Sequence, residues 1–272
     1  MEEDWGDIFN GIQEIDSDQE MEEAEVDIGE DTEDFVNKML KKVEKIATAG
    51  LNNRVSSRII LHGWLLQARN TAIDNIVRTG GPFMFRKITV YSAVIYVDRF
   101  LSIMTIENER FLVAKLLSTA CLHLAADKWE NFQVDLPEFA QFTNSFTRSI
   151  INMKNYVVNE FGGTKTCVTP ISFTKYFVSR FCRDDSRKEY AKIKTVEVIM
   201  STLGDVRLMS LKPFILAAAA TLLASNPKIL TKTQIEHDIN NVLPPNWIIP
   251  LDEVCSCYDR LLETNMHRLD IS

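Results

Sequence analysis

Two stretches of this chain have no polar face. Wound as helices, residues 85–102 and the run Phe214–Ala224 are apolar on nearly every side. A helix without a polar stripe must be surrounded by other elements. The second run is 11 residues long, well short of the roughly 20 needed to cross a bilayer, so it reads as a buried core helix. Elsewhere from residue 32 onward, apolar residues recur at helical spacing. Almost no segment shows the alternation of a half-buried strand. The fold class predicted is therefore all-α, with two hub helices that each need a shell.

The punctuation divides the helices into two blocks. A leading helix carries Val36, Met39, Leu40, Val43 and Ile46, with Asp31 or Thr32 as its cap and Gly50 after it. Five more follow. The first opens at Ser56 or Ser57 and puts Ile60, Leu61, Trp64, Leu65 and Ala68 on one face. The next two cover about 85–102 and 108–128. A short one is capped by Asp135 with Pro137 in its first turn, and a longer one has the stripe Phe146, Ile150, Met153, Val157 and Phe161. Gly162-Gly163 closes the block. Thr169-Pro170 opens a second set of five, beginning with Phe173, Phe177 and Phe181. Its fourth helix is predicted to start in a capping box, Thr233 to Glu236. The expected organisation is an acidic disordered tail over 1–31, a first domain over 32–165 and a second over 166–272. In each domain the middle helix would be the hub.

Charge separates the tail from the body. Residues 1–34 hold 16 acids and no lysine or arginine, which leaves the remainder at +8 although the whole chain is −8. So dense a charge with few core formers cannot bury enough surface to offset ordering entropy. One island departs from this: Trp5, Ile8, Phe9 and Ile12 share a helical face and form a candidate docking motif. Lys and Arg in the body are scattered without a dense basic stripe, so nucleic acid is not an expected partner.

The chemistry of catalysis is missing. No glycine-rich phosphate loop occurs, and the four histidines are scattered, so neither a metal site nor a cofactor is expected. The five cysteines are odd in number, form no C-x-x-C pair and lie mostly in apolar patterns, as free buried thiols of a reducing compartment would. The start Met1-Glu2-Glu3-Asp4 lacks the basic and apolar segments of a secretory leader. The expectation is an intracellular, nuclear or cytoplasmic, non-enzymatic binding protein with no membrane segment.

Four segments resemble a cyclin box. Arg58-Ile-Ile-Leu-His-Gly-Trp64-Leu65 is similar to the family's Arg-x-Ile-Leu-x-Asp-Trp-Leu. Tyr96-Val-Asp98-Arg99-Phe100-Leu101 is similar to Tyr-x-Asp-Arg-Phe-Leu. Ala125-Ala-Asp-Lys128-Trp-Glu130 resembles a family helix ending Ala-Ser-Lys-Phe/Tyr-Glu, and Thr169-Pro170 with Phe173 and Phe177 resembles the opening of the C-terminal cyclin fold. The resemblance is nearest to D-type, G1 or virus-carried cyclins. It implies two tandem five-helix repeats and a heterodimer with a cyclin-dependent Ser/Thr kinase in cell-cycle or transcription control. The other reading is an adaptor of the transcription machinery that uses the same scaffold without activating a kinase.

The resemblance also implies residue roles. Arg58 and Asp98 match a structural salt bridge. Lys128 matches the lysine that meets the kinase, with Leu117, Glu130 and Phe161 around it. Ile60, Leu61 and Trp64 match a substrate-docking patch. At the second kinase-facing position, where the family has glutamate, this chain has Lys154. Glu130 is one candidate to replace that carboxylate. The segment from Trp64 to Asp98 is also about a dozen residues longer than the family's.

Overall fold

The computed structural model describes residues 32–48, 59–60, 62–103, 110–162, 167–226, 228–243 and 249–269. The tail motif Trp5, Ile8, Phe9 and Ile12 lies outside them, as do Arg58 and Leu61. Among the described residues every regular element is helical. The chain forms two compact units, one covering 48–167 and the other 168–272 together with the leading helix.

The first unit contains α2 (Gly63–Gly80), α3 (Lys87–Ile103), α4 (Arg110–Trp129), α5 (Leu136–Phe142) and α6 (Thr147–Glu160). Helix α4 packs against α2, α3 and α6. Its residues Leu117, Ala120, Cys121, Leu122, Leu124, Ala125 and Ala126 are all buried, as a hub requires. Helix α3 is buried on most faces, including Tyr91, Val94, Val97 and Phe100. The α2–α3 corner is tight. A Cβ at Gly80 would stand 3.0 Å from Val90 Cγ2, so an alanine there would require the Val90 side chain to shift. Gly162 ends α6 at φ 63°, in the left-handed region that favours glycine.

The second unit contains α1 (Glu33–Thr48, all but its last residue), α7 (Thr174–Phe181), α8 (Lys188–Met200), the single turn α9 (Val206–Met209), α10 (Pro213–Ser225), α11 (Lys232–Val242) and α12 (Leu251–Leu269). Helix α10 is its hub and packs on α7, α8 and α12. A run of small side chains, Ala217 to Ala220, is fully buried there and lets neighbouring helices approach closely. The sequence punctuation groups the leading helix with the first domain. Its contacts place it in the second, where Val36 and Val43, seven residues apart, turn one buried face inward.

Three local expectations shift. Phe146 belongs to the apolar stripe of α6 by spacing, yet it is the N-cap residue with extended backbone and is 82% exposed. The periodicity runs one step past the helix, and outside it the side chain no longer follows the face. The capping box of α11 is Thr231 with Gln234, two residues before the expected start: Gln234 Oε1 accepts from Thr231 N at 2.9 Å. Thr169-Pro170 opens a 3₁₀ turn, Pro170–Phe173, which α7 continues. Asp135 caps α5 as its position suggests, its carboxylate accepting from Glu138 N at 2.8 Å. All five cysteines are free and buried.

Candidate partner-docking site

The salt bridge of the first unit is made by another arginine. Asp98 on α3 is met by Arg69 on α2: Nε donates to Oδ1 at 2.7 Å and Nη2 to Oδ2 at 3.1 Å. Both residues are buried, the arginine side chain completely. Burial pushes the Asp98 carboxyl upward, and the guanidinium pulls it back. Both Asp98 oxygens are engaged by Arg69, while Arg58, the partner expected from the motif, lies outside the described residues.

This moves the register of the motif. Arg69-Asn-Thr-Ala-Ile-Asp74-Asn75-Ile76 fits the same pattern eleven residues further on, with arginine and aspartate in place. It removes nearly all of the apparent excess length before Asp98. The family's tryptophan position falls on Asn75, whose Nδ2 donates to Ser118 Oγ at 2.9 Å and Thr119 Oγ1 at 3.2 Å on α4. Those hydroxyls donate in turn to Lys115 O. A polar tie between α2 and α4 stands where an indole would. The Ile60–Leu61–Trp64 patch leaves the motif with the shift. Ile60 is exposed and Trp64 half-buried.

The residues expected to face a partner separate into two groups. Leu117 is fully buried in α4 and cannot face outward. Glu130 is equally committed. Its Oε1 accepts from Arg86 N at 3.0 Å and Thr89 Oγ1 at 2.5 Å, its Oε2 lies 3.5 Å from Arg86 Nε, and its side chain is 2% exposed. Helix α3 has no acid in its first turn, and Glu130 supplies the negative charge its N-terminus favours. It therefore does not replace the missing partner-facing carboxylate. Phe161 is buried against Tyr96, with the Arg99 guanidinium 4.0 Å above its ring.

The second group stays accessible. Lys128 lies exposed in the last turn of α4, where a cation suits the helix dipole. Its Nζ donates to Cys167 O at 3.4 Å and sits 4.4 Å from the Trp129 ring. One residue earlier, Asp127 Oδ2 accepts from Lys154 Nζ on α6 at 2.6 Å. His123 Nδ1 lies 2.8 Å from that ammonium and 3.2 Å from Asp127 Oδ1, and its tautomer decides which it serves. A groove lined by Leu124, Lys154, Asn155, Val158 and Asn159 adjoins the cluster. Lys154 therefore leans on Asp127, and the repulsion that its proximity to Lys128 would produce is offset by that carboxylate. Asp127 was not singled out from sequence. It is an ordinary helix-end acid until α6 brings Lys154 to it.

Burial pushes the Asp127 carboxyl up, but hydrogen bonds from His123 and Lys154 outweigh this and hold it at about 2. A carboxyl depressed on folding stabilises the fold above its unfolded pKa of about 3.9 and loses that contribution as pH falls through the folded value. The Asp127 side chain is 35% exposed, so solvent screening limits the pair to about 1 kcal/mol. Asp127→Asn is expected to lose that amount at pH 7. The difference from wild type should vanish between about pH 4 and pH 2, read by chemical denaturation across pH.

Comparisons with known proteins agree with this architecture. The model of the cyclin N-terminal domain matches residues 38–163. The chain is 31% identical over 216 residues to Cyclin-D5-2 of Oryza sativa subsp. japonica, covering 73% of this chain and 58% of the relative. It is 28% identical over 213 residues to Cyclin-D3-2 of Arabidopsis thaliana, covering 76% and 56%. The chain thus spans somewhat over half the length of these relatives. In the structure of the CAK complex from Chaetomium thermophilum bound to ATP-γ-S, one chain shares the fold, with a TM-score of 0.57 at 13% identity over 92% of this chain and 81% of that one. With the matched domain covering residues 38–163 and D-type cyclins aligning across a longer stretch, this chain belongs to the cyclin family.

Proposed function

We propose that this protein is a non-catalytic regulatory subunit of a cyclin-dependent Ser/Thr kinase, acting inside the cell in cell-cycle or transcription control. The observation that carries the reading is the exposed end of α4. Lys128 stands there beside the Asp127–Lys154 pair and next to a groove that continues along α6. An ammonium at a helix end can donate to main-chain carbonyls of a partner. The subunit contributes no reacting group. It shifts the kinase towards its active arrangement by binding that arrangement more tightly.

The test is binding of the purified chain to a panel of cyclin-dependent kinases, with activity of each complex measured. Wild type should bind and activate at least one. Lys128→Glu reverses the charge of an exposed residue, which leaves the fold intact, and should weaken that complex about 100-fold or more, a loss of close to 3 kcal/mol. Unchanged affinity in the variant would rule out this face.

A further inference from the structure

We infer that Asp127 is the carboxylate this face presents to a partner, and that Lys154 is the residue positioning it. The inference rests on the reading of the chain as a kinase subunit and specifies the chemistry of its docking face. Asp127 and Glu130 flank Lys128 within two residues along the chain, and of these two only Asp127 is exposed. Glu130 is buried and spent on the start of α3. Asp127 keeps 35% of its side chain exposed, while Lys154 is drawn inward to 17%. Of the pair, the acid is the outer member.

The local electrostatics argue the same way. Asp127 sits near the C-terminal end of α4, where the helix dipole disfavours an anion. Left alone, the carboxylate would be better replaced by a neutral or basic residue. It is held by two groups from outside its own turn, Lys154 from α6 and His123 one turn back when its Nδ1 carries the proton. Lys154 Nζ donates to Asp127 and its side chain is only 17% exposed, so it offers little to a partner. Asp127 retains acceptor capacity towards solvent.

The last turn of α4 thus shows an acceptor and a donor on adjacent residues, Asp127 and Lys128. The chemical complement is a stretch of main chain with unpaired N–H groups beside unpaired carbonyls. Half-buried Val158 of the adjoining groove and the exposed Ile151, both on α6, add an apolar edge. The occupant that fits is an open segment of kinase backbone, with its N–H groups on Asp127 and its carbonyls on Lys128.

The experiment measures affinity for the kinase that binds wild type, with thermal melting of every variant in parallel. Asp127→Ala should weaken binding about 10- to 100-fold, the scale of a lost charge-assisted hydrogen bond. Lys154→Met should weaken it less, and Lys154→Arg should restore it. The double variant Asp127→Ser with Lys154→Glu returns the carboxylate to α6 and should bind within a few-fold of wild type. If Asp127→Ala binds like wild type while Lys128→Glu does not, the assignment of Asp127 is wrong and the kinase reading stands. The assignment also fails if the double variant, folded, binds no better than Asp127→Ala. If wild type binds no cyclin-dependent kinase, both readings fall together.

Discussion

Arg69→Ala is expected to destabilise the first unit by about 3–5 kcal/mol, because it leaves a buried carboxylate without its counterion. Asp98 has no water to turn to: its side chain is 8% exposed and both oxygens are bonded by one guanidinium. Asp98→Ala should cost a similar amount, since it strands the cation instead. Each charge alone is expensive and the pair together is close to neutral. The double substitution Arg69→Met with Asp98→Leu should therefore recover most of the loss. Urea unfolding followed by circular dichroism would measure all three. Arg58→Ala is the control. A loss of about 3–5 kcal/mol there, with Arg69→Ala near wild type, would return the bridge to the arginine first indicated by the motif.

Phe177→Ala is expected to cost the second unit about 3–5 kcal/mol through the cavity it leaves. Phe177 is fully buried. Its ring stacks on Phe181 at 5.5 Å, meets Tyr176 edge-on at 5.7 Å and lies 6.4 Å from Phe173. The three neighbouring rings, Phe173, Tyr176 and Phe181, are fixed on the same short stretch of backbone and cannot fill the gap without moving it, so little of the cost is relieved by relaxation. Phe177→Leu preserves most of the volume and should lose about 1.5 kcal/mol or less. Phe146→Ala provides the contrast. By spacing alone Phe146 ranks with the core residues of α6, but at 82% exposure its truncation should change stability by no more than about 0.5 kcal/mol. An equal loss at Phe146 and Phe177 would show that periodicity, rather than burial, had identified the core.

The two docking variants test a different quantity. Lys128 and Asp127 lie at the surface, so changes there should register in affinity far more than in melting temperature. Arg69 and Phe177 should do the reverse. That contrast separates the surface offered to a partner from the scaffold that holds it in place.

The sequence by itself determined what depends on neighbours along the chain. Helical spacing, the Asp135 cap, the stop at Gly162 and the apolar hub α10 are legible along the chain and appear in the structure, whereas the hub of the first unit is α4 and not the more apolar α3. The motif order also carried the family, because several weak patterns in one sequence reinforce one another. Only the tertiary structure decided which charge meets which. Arg58 and Arg69 are both plausible partners for Asp98 on paper, and a distance of 29 residues between Arg69 and Asp98 becomes 2.7 Å only once α2 lies on α3. Glu130 was read as a partner-facing acid, but the fold spends it on a helix start 41 and 44 residues earlier in the chain. Lys154, standing where the family has glutamate, meets Asp127 only once α6 lies on α4. Coulombic and hydrogen-bond partners are chosen by proximity in space, and a linear pattern encodes that proximity only within a turn or two of helix.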